Sequence, residues 1–317
     1  MGLPAMRCPA LAELPLPPPE KTGWPWTVET PPVPPVRPDG SAWPRISIVT
    51  PSYNQGQFIE ETIRSVLLQG YPDLEYIIID GGSTDQSVEI IRKYEPWLTY
   101  WVSERDRGQA HAINKGFSMA TGEYNNWINS DDSLRPYALR TIAEAAALRS
   151  GVDLISGVRI LKDPETGYEF AQNLWLLSWK TYLIGMPNFP QDATFFSRHV
   201  LNAVHAIDER FTFGLDVAFF FRALKVARCV VLCHSVLSQM HVYATQKTHK
   251  VDPSKVLEVA ILRSEYEPKR WALKRLMGSR FNGIITLLIP VLYRKQRRKF
   301  LRMERNFLFE RWDVSAL

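Results

Sequence analysis

Cysteine is scarce in this 317-residue chain: Cys8, Cys229 and Cys233 make no disulfide framework and point to a reducing compartment. Cys229 and Cys233 stand near His234 and His241, but in a Val-rich, strand-like run. A strand sends successive side chains to opposite faces, which makes this a poor zinc loop. No charged segment followed by a continuous apolar run opens the chain, so a secretory signal is not expected. Met6 stands where a myristoylation signal wants Ser or Thr. The apolar stretch from Ile284 to Leu292 contains Pro290 and falls well short of the ~20 residues a spanning helix needs. No GxGxxG follows the first strand candidate, which disfavours a nicotinamide or flavin cofactor. A cytoplasmic protein is expected, with residence at the inner face of a membrane left open.

Hydrophobic residues at 45% are ordinary for a globular chain, and the net charge of +5 suits anionic small molecules or a membrane surface. The basic residues belong to no recognised nucleic-acid-reading module, so no nucleic-acid partner is expected. Proline is concentrated: 13 of 23 fall at or before Pro44, which excludes regular helix or sheet from residues 1–44. Trp24, Trp26 and Trp43 are costly to leave in water, so part of this segment is expected to lie extended across the following domain.

Order begins at Arg45. Ile46–Thr50 is a β-branched run that ends in Pro51-Ser52-Tyr53-Asn54, a strand and a turn. Ile59, Ile63, Val66 and Leu67 recur at helical spacing until Gly70 and Pro72. Leu74–Ile79 is a second strand, nearly all apolar, as in a sheet covered on both faces. Val88, Ile91 and Tyr94 predict a helix, Trp97–Val102 a third strand, and Ala110, Ile113, Phe117 and Ala120 a further helix. Tyr124–Ile128, a helix through Leu139, Ile142, Ala143 and Ala146, and a strand over Val152–Val158 follow. This alternation predicts an α/β fold with a mostly parallel, Rossmann-like sheet.

Residues 159–190, rich in aromatics and turns, suggest a pocket wall. Beyond them the pattern predicts helices over Phe195–Val204 and Phe219–Val226, the first preceded by a short strand at Ala193–Phe196. Strands are predicted over Cys229–Cys233 and Val236–Val242. Residues 45–250 are taken as one domain and 251–317 as a basic, amphipathic helical region. There Lys269, Arg270, Lys274 and Arg275 precede the Ile284–Leu292 segment, and a second basic cluster follows it. That pattern fits a helix pair with a solvated basic face or a peripheral membrane contact.

Asn129-Ser130-Asp131-Asp132 follows the strand candidate Tyr124–Ile128. Two carboxylates at the carboxyl end of a strand suit a divalent cation that also touches phosphate, or an Asx turn with Asp132 capping a helix. Asp80, before Gly81-Gly82-Ser83-Thr84-Asp85, is placed to accept hydrogen bonds from a ribose or base, or to sit in a plain capping loop in which Ser83 or Thr84 caps the helix. Arg107 offers a planar fork for phosphate, or belongs to a surface charge cluster. Asp216 precedes the greasy run Phe219-Phe220-Phe221, where a carboxylate can serve as a general base or as a helix cap.

Taken together, these motifs resemble the family 2 glycosyltransferases of the GT-A fold, most closely bacterial non-processive members. The resemblance covers residues 46–245 and rests on Ile46–Asn54, Ile79–Asp85, Asp106–Phe117, Asn129–Asp132, Pro190–Phe196, Asp208–Phe211 and Gly214–Asp216. It implies that Thr50, Pro51, Tyr53, Asp80, Arg107, Asn114 and Ser130 serve the nucleotide-sugar site. Asp131 and Asp132 would match the DXD-like motif for a divalent cation, Mn or Mg, and Asp216 the general base of an inverting transfer. The implied donor is a UDP-linked sugar and the implied acceptor a glycan or lipid-linked hydroxyl, in cell-surface polysaccharide or glycoconjugate synthesis.

Departures from the family pattern are His111 where relatives often carry Asp, Asn129 for the first acid of DXD, and Val217 and Ala218 after the base. Tyr243 stands near the expected His, with His241 as a substitute metal ligand. These departures keep open a non-catalytic nucleotide-sugar-binding module. The missing QxxRW motif argues against a processive synthase.

Overall fold

The computed structural model describes residues 7–163, 169–172, 189–243, 246, 257–258, 261–262, 265 and 309–313. Its first half alternates strand and helix: β1 (Ile46–Ser52), α1 (Ile59–Leu67), β2 (Leu74–Asp80), α2 (Ser87–Lys93), β3 (Tyr100–Ser103), α3 (Gln109–Met119) and β4 (Tyr124–Trp127). β5 (Asp132–Leu134), α4 (Ala138–Ala147), β6 (Leu154–Lys162) and β7 (Glu169–Gln172) come next. Then follow β8 (Thr194–Ser197), α5 (Arg198–Val204), α6 (Leu215–Val226), β9 (Cys229–His241) and β10 (Phe309–Asp313).

One mixed sheet runs in the order β10-β9-β6-β8-β4-β1-β2-β3. β4, β1, β2 and β3 are mutually parallel, as the apolar runs predict. β8 then enters antiparallel to both β4 and β6, so the sheet as a whole is mixed. Alternate residues of β2 face opposite layers, because strand side chains have a period of two. Leu74, Tyr76 and Ile78 join a core beneath α1, α2 and α4, while Ile77 and Ile79 join a second beneath α3, α5 and α6. In that second core Trp127 meets Phe219 edge-on at 5.5 Å and stacks on Phe220 at 6.0 Å. The aromatic run in α6 is therefore core, facing the end of β4.

Several predicted elements differ. Pro96 lies in a 3-10 turn, Glu95–Trp97, so the third strand starts only at Tyr100. The two strands expected over 229–242 are one, β9, whose pairing with β6 shifts register around Val158. β6 runs on to Lys162 and folds back on β7, in a segment read from composition as irregular wall. The basic segment through Ile284–Leu292, and with it the expectation of a solvated helix pair or a membrane contact, lies outside the described residues. Within 251–317 the described residues include helical positions and, unlike the helical expectation, a strand, β10, antiparallel to β9. No helix among the described residues is long and apolar enough to cross a membrane.

The proline-rich segment packs on this sheet assembly, and its anchor is a buried cation. Arg64 of α1 is fully buried and donates to the carbonyls of Pro15 at 2.9 Å, Pro25 at 3.1 Å and Trp26 at 2.9 Å. It also donates to the Tyr94 hydroxyl, which in turn donates to Glu60. Trp26 and Trp43 are buried, and the Trp24 indole N–H donates to the carbonyl of Leu134. A guanidinium cannot shed its proton here, so every donor needs an acceptor. Arg64→Met would leave the Pro25 and Trp26 carbonyls buried without a donor, at about 1–3 kcal/mol each. Denaturant unfolding should show a loss of about 2 kcal/mol or more, with faster tryptic cleavage at Lys21.

Candidate active site

β1 lies between β4 and β2, and chain order reverses there, so their carboxyl ends open a crevice of the kind in which α/β sheets bind ligands. A cavity of about 690 Å³ occupies it. Pro51, Tyr53, Ser130, Asp131, Asp132 and Asp216 line it, so three separate segments of the chain converge on it.

The loop after β1 is built by the loop after β2. Asn54 has a positive φ of 50°, tolerable for Asn, and its side-chain oxygen accepts from the Thr84 amide at 2.8 Å. Ser83 and Asp85 accept from the amides of Asn54 and Gly56, each at 2.8 Å. This clasp leaves Tyr53 60% exposed at the cavity mouth. Ser83 and Thr84 are thus spent on the neighbouring loop, and Asp85 rather than either accepts from the Ser87 amide at the start of α2. Gly82 has φ +81°, which L side chains rarely adopt, and a Cβ on Gly81 would lie 2.8 Å from the Asp106 carboxylate.

Asp80 is fully buried behind this loop. Its carboxylate accepts from the Gly82 amide, the Ser83 amide and hydroxyl, and the Ser103 hydroxyl, at 2.5–3.1 Å. It organises the loop and does not line the cavity. Thr50, also buried, meets the Tyr76 hydroxyl at 3.2 Å.

The acid pair is the electrostatic centre. Asp132 is 3% exposed, and its Oδ2 accepts from Asn129 at 2.9 Å, while its Oδ1 is buried with no partner among the described residues. Asn129 in turn accepts from Gln109 of α3 at 2.8 Å. Asp131 accepts from the Tyr243 hydroxyl at 2.7 Å. A third carboxylate, Asp192, is fully buried beside them, accepts from Arg159 at 2.9 Å and keeps Oδ2 unpartnered among the described residues. Burial, then the charges of Asp131 and Asp192, pushes the Asp132 carboxyl well above the usual range. Burial also raises Asp131, with the Tyr243 hydrogen bond opposing it. An unpartnered, ionised carboxylate oxygen buried among like charges is unfavourable unless a proton or a cation joins it. These residues fit a divalent ion, although no cluster of three or more His, Cys, Asp or Glu converges among the described residues.

Other sequence-assigned residues fall elsewhere. Arg107 is exposed and paired with Glu209 at 2.9 Å, while Arg105, two positions earlier, lines the cavity. Asn114 ties α3 to the backbone at Ile207, donating to its carbonyl at 2.9 Å and accepting from its amide at 2.7 Å. The His241 Nε2 meets Glu61 at 3.1 Å and its ring stacks on Phe58, so it lies off the cavity lining; Tyr243, two residues on, takes the place beside Asp131. Cys229 and Cys233 are buried free thiols. Arg105, Gln109, Arg159, Gln191 and Tyr243 line the site without having been singled out as binders. Arg105, Gln109 and Gln191 belong to or border the motif segments; Arg159 lies outside them all, and Tyr243 stands out only as a departure from the family pattern.

Asp216 stands in the first turn of α6, half-buried, and its Oδ1 accepts from the Val217 amide at 2.8 Å. Its side chain reaches the cavity that holds the acid pair.

The Glycosyl transferase family 2 model matches residues 47–203, the span that carries β1 to α5 and both loops of the acid cluster. The chain belongs to glycosyltransferase family 2. An uncharacterised glycosyltransferase of Mycobacterium tuberculosis is 29% identical over 191 residues, 60% of this chain and 72% of the relative. TuaG of Bacillus subtilis, provisionally named for teichuronic acid biosynthesis, is 34% identical over 126 residues, 39% of this chain and 50% of TuaG. Among solved structures, S. aureus TarS 1-349 superposes with a TM-score of 0.52 at 20% identity, over 62% of this chain and 60% of that one. Its complex with UDP-GlcNAc gives 0.58 at 17% identity, over 70% of this chain and 66% of that one. At that identity the likeness shows the fold, which is GT-A.

The raised carboxyl makes a sign-definite prediction for this glycosyltransferase. A group whose folded pKa exceeds its unfolded value holds a proton better when folded, so stability is full below the ordinary value of 3.8 and declines as pH rises towards the raised folded value. Without added metal, Asp132→Asn should remove that decline and melt higher than wild type at neutral pH. Thermal scans from pH 4 to pH 8 on metal-stripped protein check this; identical slopes for the two proteins would contradict it.

Proposed function

We propose that this glycosyltransferase moves a sugar from a UDP-linked donor to a hydroxyl of a glycan or lipid-linked acceptor, inverting the anomeric centre. The observation that carries the reading is one cavity lined by the paired carboxylates at the end of β4 and by a separate carboxylate, Asp216, on α6. Residues 45–250 would form the transferase unit, with 1–44 folded onto it. The teichuronic acid name of TuaG supports a place in cell-surface polysaccharide synthesis.

Asp131 and Asp132 would hold a divalent cation, Mn or Mg, which when bound supplies Lewis-acid neutralisation of the diphosphate leaving group. Asn129 and Tyr243 fix the two carboxylates by one hydrogen bond each. Arg105, exposed on the cavity wall, offers its guanidinium to phosphate oxygens, the role first given to Arg107. Tyr53 presents an exposed ring to the base at the mouth, on a loop that Asp80 supports from behind. Asp216 accepts the proton of the acceptor hydroxyl as its oxygen attacks the anomeric carbon. The transition state is oxocarbenium-like, as in glycoside hydrolysis.

Asp216→Asn is expected to lower transfer by about 10²–10⁴-fold while UDP binding, followed by calorimetry, stays unchanged. Equal loss of binding and turnover would identify Asp216 as a structural residue instead. Asp131→Ala and Asp132→Ala should each abolish the metal-dependent part of UDP affinity. A panel of nucleotide sugars, with metal added and withheld, tests donor class and metal requirement together, and turnover unaffected by chelation would remove the cation from the scheme.

A further inference from the structure

The loop that delivers Asp216 is tied at its backbone by an acid some forty-five residues further on. Glu258, 7% exposed, accepts from three consecutive backbone amides: Thr212 at 2.8 Å, Phe213 at 2.8 Å and Gly214 at 3.0 Å. Gly214 is the cap residue of α6 and contributes no side chain to the helix start. Asp216 lies two residues beyond it. An ionised acceptor makes the stronger hydrogen bond to each of these amides.

Glu258 does not act alone. Residues 257–258, 261–262 and 265 are helical, and Glu258, Leu262 and Glu265 follow at spacings of four and three, which puts them on one face. Leu262 is buried against Gly214, where a Cβ would lie 2.6 Å from Leu262 Cδ1. Glu265 pairs with Arg210 at 2.7 Å, and Arg210 pairs with Asp208 at the same distance. One helix face thus follows the loop from Asp208 to Gly214 through an exposed ion pair, an apolar contact and a buried carboxylate. The exposed pair is worth little in water. The buried carboxylate is the contact that fixes backbone.

We propose that Glu258 is a positioning residue for transfer: it fixes the 212–214 backbone and so sets where the Asp216 carboxylate stands in the cavity. The proposal rests on the reading of Asp216 as general base. Glu258 itself does not line the cavity, so it touches neither donor nor acceptor there. The role demands a carboxylate, because Oε1 takes one amide and Oε2 takes two. An amide side chain has one acceptor oxygen and would turn an N–H towards an N–H. Displacement of a reacting group by about 1 Å is enough to lose about 10²-fold in rate.

The test uses the full chain, UDP with Mn for binding, and a nucleotide sugar from the panel that wild type turns over. Glu258→Gln should speed amide exchange in the 208–217 peptide and lower kcat about 10²-fold, with donor KM and UDP affinity unchanged. It should cause no further loss in the Asp216→Asn background, and Glu258→Asp, which keeps both acceptor oxygens, should recover part of kcat. Unaltered exchange in Glu258→Gln would overturn the proposal. Faster exchange with wild-type kcat, while Asp216→Asn is inactive, would overturn it and leave the base assignment standing. Full turnover in Asp216→Asn would bring down the base assignment and the proposal with it. Should Glu258→Gln fail to fold, Glu258→Asp carries the same comparison.

Discussion

Two carboxylates on the cavity wall, Asp131 and Asp132, feel the charge of a third, Asp192, that is fully buried, and each of the three is held by a partner of its own. Burial raises both Asp131 and Asp132, the charge of Asp131 raises Asp132 further, and Asp192 raises both. Each has a dedicated neutral or cationic partner: Tyr243 for Asp131, Asn129 for Asp132, Arg159 for Asp192. Those partners come from the end of β9, the end of β4 and the middle of β6, so the antiparallel half of the sheet is recruited to serve the parallel half. A fold optimised for stability alone would not place like charges this way.

The same logic explains the mixed sheet. Parallel strands β1, β2 and β4 bring their carboxyl ends to one edge and supply the loops. They cannot supply the far wall, because every crossover returns to the opposite edge. β8, running antiparallel beside β4, and β9, pairing with β5 immediately after Asp131, bring chain back over the crevice. Met240 and Tyr243 line the cavity for that reason.

The parallel half and the motif loops were legible in the sequence because local signals agreed there. β1 announced itself by a β-branched run and β2 by a nearly all-apolar one, α3 by its spacing, and the acid pair by its place after a strand. What escaped was decided by distance in space. Arg105 and Arg107 are chemically alike and two residues apart, yet Arg105 lines the cavity while Arg107 pairs with Glu209 on a distant loop. Asp192 sat inside a recognised motif, yet nothing local says that its carboxylate would crowd Asp132. Glu258 is an acid in a segment whose composition is basic, and its partners lie 44 to 46 residues earlier. β9 reads as two strands because His234 and Ser235 interrupt its apolar run, and there β9 itself carries the extra residues of the register shift: it advances from Leu232 to Ser238 while β6 advances from Ser156 to Arg159.

The arrangement around Arg64 bears on where this protein begins as a folding unit. Composition draws a sharp line near residue 45, with a proline-rich tract before it and regular structure after it. The guanidinium ignores that line, since three of its acceptors are main-chain oxygens of the tract. A fragment trimmed at the compositional border would keep a permanently charged side chain in its interior and discard the groups that solvate it. The tract therefore works as an internal solvent for one ion: it is not a tether, and its oxygens are as much a part of α1's surroundings as the helix's own neighbours in the sheet.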